Sequence, residues 1–296
     1  MEYTVRPEEA GRRLREILRG SAGLSYTALK SAKWHGSILA EGRPVHVDYR
    51  PEAGERITVE WAAEPPVYIP RPCPMALRVP YADEDLMIID KPAGVASQSS
   101  RNHPDDSLEN AVYSWLGCPE GFVYRPVNRL DRGTGGLMAV ARSAHAQHRM
   151  QQALHTADFR RRYIALVDGA PPEPEGIIDA PIAKVAEASV KRQVDPAGKP
   201  SRTRYRVLEG RGRETLVLLE LETGRTHQIR VHMSWLGCPV HGDFLYGTED
   251  PERFPGCFAL HSAELRMKHP RTGEALRLTS LPAWAEGISM EEIGKD

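Results

Sequence analysis

The chain has 296 residues, enough for one large domain or two unequal ones. Its 41% apolar and 27% charged residues allow a buried core, while a formal net charge of −1 leaves no overall field for nucleic acid, so any such contact must come from local patches. Four cysteines (Cys73, Cys118, Cys238, Cys257) lie far apart with no C-x-x-C, which argues against a disulfide framework and a zinc site and fits a reducing cytoplasm.

Residues 1–61 read as a small domain. Leu14 and Leu18, then Leu24 and Leu29, mark two short helices, punctuated by Gly20-Ser21, with Ser25 as a cap. The start lacks the apolar stretch of a signal peptide. Beyond Gly36, Ser37–Ala40, Val45–Val47 and Ile57–Val59 read as strands joined by turns at Glu41-Gly42 and Gly54-Glu55. Residues 11–33 carry six cations against one acid, Glu16. A face holding Arg12, Arg13, Arg15, Lys30 and Lys33 suits a phosphate backbone about as well as it suits plain solvation. The layout G-R-R-L-R-E-I-L, S-x-x-x-L-K, G-x-I and G-E-x-I-x-V resembles the S4 RNA-binding domain, with Leu39-Ala40-Glu41-Gly42 at the place of its usual turn.

Pro65, Pro66, Pro70, Pro72 and Pro74 put five prolines in ten residues. Proline lacks an N–H and favours extended polyproline geometry, so residues 62–76 read as a semi-rigid spacer before a larger domain, 77–296.

In that domain Leu86–Asp90 is a short buried strand, ended by the turn Lys91-Pro92-Ala93-Gly94. Ser107 caps a helix with Leu108, Ala111, Val112 and Trp115 on one face, closed by Gly117. Residues 125–142 follow, RPVNRLDRGTGGLMAVAR. Asp131 is the only carboxylate between Glu120 and Asp158, surrounded by Arg125, Arg129, Arg132 and Arg142. The glycine-rich turn feeding Leu137–Val140 reads as a loop entering a buried strand. Such a carboxylate suits catalysis on an anionic substrate, or an ion pair at a turn; nearby cations favour its ionised form. Ser143 caps a second helix through Met150 and Leu154, whose His145, His148 and His155 lack ligand partners and read as solvated. From Phe122 to Tyr163 there are eight Lys/Arg and two acids. Tyr163 opens an apolar strand after three arginines, placed to stack on a base or to pack on the core.

Residues 176–181 read as a loop and 191–204 as a mobile basic surface segment, followed by strands at Arg204–Leu208 and Thr215–Leu221. Thr226 can cap a helix with Ile229, Met233 and Leu236 buried, which holds Arg225 at a strand-to-helix junction. The spacing of His227, His232 and His241 matches no familiar zinc pattern. Phe258–Leu265 and Ala275–Thr279 close the domain as strands. No run of about 18 apolar residues exists to span a membrane.

Three separated blocks share one resemblance. Asn128-Arg129-Leu130-Asp131 with Gly135-Gly136-Leu137, then Arg162-Tyr163-Ile164-Ala165, then Glu222–His232 (ETGRTHQIRVH) resemble the signatures of the RluA-type pseudouridine synthases. Shorter matches at Asp85–Gly94, Gly242–Gly247 and Leu260–Ala263 keep the family's order across residues 80–282. Asn128 stands where the family has His, and Gly133 and Gly135 stand where it has Asp and Ser. Asn still donates and accepts hydrogen bonds but cannot titrate, and a structural role is the expectation.

The resemblance implies an α+β fold: a mixed, mostly antiparallel sheet with a central cleft, beside the small S4-like α/β domain. It implies an RNA pseudouridine synthase, a cytoplasmic monomer acting without cofactor, metal or membrane, on ribosomal RNA in preference to tRNA. Asp131, Tyr163 and Arg225 are its expected catalytic residues, Arg225 pairing with Asp131 and depressing its pKa. Asn128, Arg129, Thr134, Arg162, His227 and Arg230 are the expected substrate contacts. Two alternatives stand beside it. One is an inactive RNA-binding or ribosome-assembly factor, motivated by Asn128 and the glycines. The other is a glycosidase, disfavoured because cations, rather than a second acid, surround Asp131.

Overall fold

The apolar residues of the chain gather into two separate packing units. The computed structural model describes residues 2–24, 26–60, 69–154, 156–289 and 293–294; its packing divides the chain into Met1–Tyr68 and Ile69–Asp296. Ser25, His155, and Pro65 and Pro66 of the proline-rich segment lie outside the described residues.

The first unit comprises β1 (Glu2–Thr4), α1 (Leu14–Arg19), α2 (Tyr26–His35), β2 (Ser37–Ala40), β3 (Arg43–Pro44) and β4 (Arg56–Glu60). The strands form an antiparallel sheet, β1-β4-β2-β3. Alternation sends Ile38, Ala40, Ile57 and Val59 to one side, where they bury Leu14, Ile17 and Leu18 of α1. The third strand falls at Arg43–Pro44 rather than at the expected Val45–Val47. Glu41 and Gly42 both have positive φ, a two-residue turn that pairs Ala40 directly with Arg43 and so sets the register earlier.

The second unit runs β5 (Arg78–Ala82), β6 (Leu86–Lys91), α3 (Leu108–Trp115), β7 (Arg125–Pro126), β8 (Gly135–Ala141), α4 (Ala144–Ala153), β9 (Phe159–Asp168), β10 (Glu175–Asp179), β11 (Ile182–Lys184), β12 (Arg192–Val194), β13 (Arg202–Arg211), β14 (Glu214–Leu221), α5 (Gln228–Trp235), β15 (Leu260–Lys268) and β16 (Ala275–Thr279). One ten-stranded sheet has the order β10-β13-β14-β9-β15-β8-β6-β5, with β16 on β15 and β7 on β8. Its pairs are antiparallel except β15 with β8, at the middle of the order. That parallel pair is short, and Gly136 makes it close. At φ +101 its added Cβ would lie 2.4 Å from the Ser262 carbonyl, so only glycine fits.

Strand parity sorts the core into two layers. Met87, Ile89, Met138, Val140, Tyr163, Ala165, Val217 and Leu219 face α3 and α5. Leu86, Ile88, Leu137 and Ala139 face α4, and Ile164, Leu166, Leu216 and Leu218 also point away from Tyr163. Burying each Leu or Ile is worth about 1.5–3 kcal/mol, so a one-residue slip of β9 would cost several such burials. Ser107 and Ser143 cap α3 and α4 through the amides of Asn110 and Ala146. Trp115 ends α3 46% exposed, rather than on its buried face with Leu108 and Val112.

Residues 176–181, expected as a loop, largely belong to strand β10. Ile178 is buried, and residues 175–179 pair with 202–206 at the sheet edge. The basic segment 191–204 likewise supplies β12 and the start of β13. Its turn formers sit between those strands, at Pro196–Pro200.

Candidate active site

The loop between β7 and β8 carries Asp131 into a cleft of about 710 Å³. Both neighbours of Asp131 are fastened. Ser97 Oγ donates to the Leu130 carbonyl (2.6 Å) and accepts from the Leu130 amide (3.2 Å). The Arg132 carbonyl accepts from Gly94 N (2.8 Å) and from Lys91 Nζ (3.3 Å), which also donates to the carbonyls of Pro92 and Val95. Lys91 is buried, and burial pushes its ammonium down to about 7 despite the nearby Asp131. Thr134 N closes the turn on the Asp131 carbonyl at 3.1 Å. Asn128 Oδ1 accepts from Ala139 N at 2.9 Å, holding the loop to β8.

The Asp131 side chain is 26% exposed. Its Oδ2 accepts from Arg230 Nη1 at 3.1 Å, while Oδ1 has no hydrogen-bond partner among the described residues. Arg230 lies on α5, near its start, and is 3% exposed. Asp243, fully buried, takes its other edge in a two-point pair at 2.6 and 2.8 Å. Phe258 and Tyr246 lie over the guanidinium, at 4.3 and 5.0 Å from their ring centroids. Burial works against the charge of Arg230, but the carboxylates of Asp243 and Asp131 outweigh it and raise its pKa above the ordinary value. A buried cation with fixed partners therefore holds one oxygen of Asp131, and the other keeps no hydrogen-bond partner among the described residues.

This corrects the expected pairing. Arg225 does not pair with Asp131; its Nε donates to the Pro200 carbonyl at 3.1 Å, although the residue lines the cleft. Arg225 precedes the helix, whereas Arg230 lies within it on the side facing the loop. Thr226 is not the cap either: His227 occupies that position with left-handed backbone, φ 60. Gln228 secures the junction, accepting from Thr223 Oγ1 and Arg225 N and donating to the Arg202 carbonyl and Thr203 Oγ1.

Tyr163 comes from β9 and lines the same cleft, 4% exposed. Burial pushes its phenol upward, so at neutral pH it is uncharged. Arg162 faces away. Its Nε donates to Glu220 at 2.8 Å, and it lines a separate groove on the opposite side of the sheet. Arg162 therefore does not face the cleft as expected, whereas Arg161, which shares strand parity with Tyr163, lines it. Arg129, exposed, and Thr134, buried, also line it, as do Asn128, His227 and Arg230. The unusual glycines fit their surroundings. A Cβ on Gly133 would meet the Phe258 ring at 2.5 Å, and one on Gly135 would meet His261 Nδ1 at 3.2 Å.

Among the described residues the histidines do not converge. His232 bonds Thr203 and the Ala180 carbonyl, His241 bonds Asp168 and Asp250, and His145 and His148 are exposed on α4. Arg12, Arg13, Arg15, Lys30 and Lys33 are exposed in the first unit, where Arg15 pairs with Asp48 at 3.3 Å.

Sequence reading missed Asp243, Tyr246, Lys91 and Arg161 as site residues. Arg161 was within reach, since it stands two residues before Tyr163 on one strand. Asp243 and Tyr246 fall in the short family match at Gly242–Gly247, but nothing local there shows their roles, because their partners lie 13 and 19 residues away, on and just before α5.

Residues 85–235 match the family model described as RNA pseudouridylate synthase. An uncharacterised RNA pseudouridine synthase of Bacillus subtilis is 37% identical over 262 residues, covering 87% of this chain and 91% of the relative. A protein of Vibrio vulnificus named ribosomal large subunit pseudouridine synthase D is 36% identical over 298 residues, covering 92% and 88%. Among solved structures, human RNA pseudouridylate synthase domain containing 1 superposes with a TM-score of 0.56 at 26% identity, covering 70% of this chain and 84% of that one.

Proposed function

Because this chain belongs to the RNA pseudouridylate synthase family, and so is an isomerase acting on RNA, we propose that Asp131 is its reacting carboxylate and ribosomal RNA its substrate. One observation carries the first part: Arg230 holds Oδ2 of Asp131 at 3.1 Å in a cleft that Asp131 and Tyr163 both line. The name of the Vibrio relative motivates the second part, with tRNA as the lesser choice.

In the reaction, the bond from C1′ to N1 of uracil breaks and a bond from C1′ to C5 forms. The C5 proton leaves and N1 ends protonated, so atoms balance with no outside reactant. Asp131 can add at C1′, add at C6, or take the C2′ proton; each route needs an ionised carboxylate. Arg230 fixes the direction of that carboxylate. The target uridine must leave its stack, at a cost of a few kcal/mol, and stacking on Tyr163 offsets part of it. A neutral phenol relays the C5 proton better than it removes it alone. Arg129, exposed at the rim, and Arg161 balance phosphate charge, with Asn128, Thr134, His227 and Arg225 as further walls of the cleft. The exposed cations of the S4-like first unit, residues 1–61, add affinity for structured RNA. The protein works as a monomer in the cytoplasm, where ribosomal RNA is found.

The test uses purified protein with transcripts of large-subunit ribosomal RNA and of tRNA, and pseudouridine measured by mass spectrometry. Large-subunit RNA gains pseudouridine. Asp131→Asn slows the rate by about a hundred- to ten-thousand-fold, the range for removal of a proton-transfer group, while its RNA affinity survives. Wild-type turnover by the Asn variant would remove Asp131 from the chemistry. RNA binding without product would favour an inactive assembly factor.

A further inference from the structure

His227 stands out because its backbone is strained and its ring is wired. It is one of three non-glycine residues with positive φ among those described, and the only one of the three lining the cleft. Left-handed backbone is unfavourable for such a residue and persists where its surroundings enforce it. The neighbour here is Tyr246, whose hydroxyl lies 2.8 Å from His227 Nδ1. The other ring nitrogen, Nε2, lies 3.9 Å from Asp131 Oδ2.

Hydrogen-bond counting points to where the imidazole proton sits. The Tyr246 oxygen already accepts the backbone N–H of Arg192 at 2.8 Å. Its own proton needs an acceptor, and His227 Nδ1 stands in the right place to be it. With Nδ1 as that acceptor, the ring carries its hydrogen on Nε2, the nitrogen nearer Asp131. Burial lowers the pKa of His227, with Asp131 opposing and Arg230 adding to the lowering, so the ring stays neutral above mildly acid pH. Tyr246 also lies over Arg230, so one phenol braces both groups facing Asp131 Oδ2.

We propose that His227 is a positioning residue: in the Nε2–H tautomer set by Tyr246, it donates to Asp131 Oδ2 when substrate fills the cleft. The 3.9 Å gap then closes to a hydrogen bond. Arg230 and His227 together hold Oδ2, and Oδ1 alone is free to react. Arg192 belongs to β12, so the hairpin β11–β12 fixes the tautomer through its backbone. This inference rests on Asp131 being the reacting carboxylate.

Two measurements test it. In protein labelled with ¹⁵N-histidine, the His227 signals, assigned by their disappearance in His227→Gln, show the Nε2–H tautomer; an Nδ1–H pattern overturns the proposal without any rate assay. Turnover is then measured on total RNA from cells lacking the gene. His227→Ala lowers kcat by about tenfold or more with KM within about twofold. His227→Gln, which returns an N–H near Nε2, recovers most of it, and His227→Asn, which cannot reach, does not. Equal rates for the Gln and Ala variants overturn the proposal. Asp131→Asn is run alongside, because activity in that variant would fail the underlying assignment rather than this one.

Discussion

The charges around Asp131 and those on α1 and α2 obey opposite rules. In the cleft, Arg230 and Asp243 are buried, and each polar group of the pair has a fixed partner. On the first unit, Arg12, Arg13, Lys30 and Lys33 project into solvent. A buried charge works by direction, and removing it leaves a partner stranded at high cost. An exposed cation works by number and screened distance, and each one is individually replaceable. Under the proposed function the first region carries chemistry and the second adhesion, and three variants probe that division.

The largest effect is expected at Asp243. Asp243→Ala leaves the Arg230 guanidinium buried with Asp131 as its remaining acid. Breaking such a pair costs about 3–5 kcal/mol. In a unit of this size that is a drop of about 10 °C in melting temperature, read by calorimetry, together with abolished turnover. A melt within a degree or two of wild type would mean that the pair is not the anchor of the site.

Lys91 comes next. Its ammonium donates to the Arg132 carbonyl of the Asp131 loop and to the carbonyls of Pro92 and Val95 in its own turn, and burial holds its pKa at about 7 against an ordinary 10.5. The folded value lies below the unfolded one. Between about pH 7 and 10.5 the unfolded chain therefore holds a proton that the native chain has released, and stability rises with pH across that window. Below about 7 both states are protonated and this contribution is flat at its minimum. Lys91→Met should erase this part of the rise between about pH 7 and 9, and it should slow turnover because the Arg132 carbonyl then keeps only the Gly94 amide of its two donors. Parallel melting curves for the two proteins across that range would show that Lys91 is charged throughout.

Much of this architecture is legible in the sequence, and what escapes has a common cause. Local patterns announce β6, β8, β9, β14 and the capped helices α3 and α4, because apolar runs and Ser caps are short-range signals. Asp131 and Tyr163 are also legible, each standing at the edge of such a run. The partner of Asp131 is not. Arg225 and Arg230 sit in one short motif, and the choice between them depends on how α5 faces a loop 99 residues earlier in the chain. Arg162 misleads for a simpler reason: it is adjacent to Tyr163 in sequence, and adjacent residues of a strand face opposite sides of the sheet. Strand β10 escapes because Gly176 and the nearby prolines look like loop, while the edge pairing with β13 overrides that preference.

The smallest effect on chemistry is expected from the exposed cations, and it is the sharpest contrast with Asp243. Replacing Arg12, Arg13, Arg15, Lys30 and Lys33 together by Ala should leave single-turnover rates at saturating RNA unchanged. The dissociation constant should rise, and the rise should shrink as salt is added. Each phosphate that no longer meets a cation takes about 0.7–0.9 from the slope of log K against log salt, so five of them remove up to about 4.5. Arg15 already has Asp48 at 3.3 Å, and part of its charge is committed there, which puts the expected change below that limit. A slope equal to wild type, measured by filter binding from about 50 to 300 mM salt on ribosomal RNA, would mean that these side chains touch no phosphates. A changed rate at saturation would mean that the first unit also shapes the cleft, and the division between adhesion and chemistry would fail.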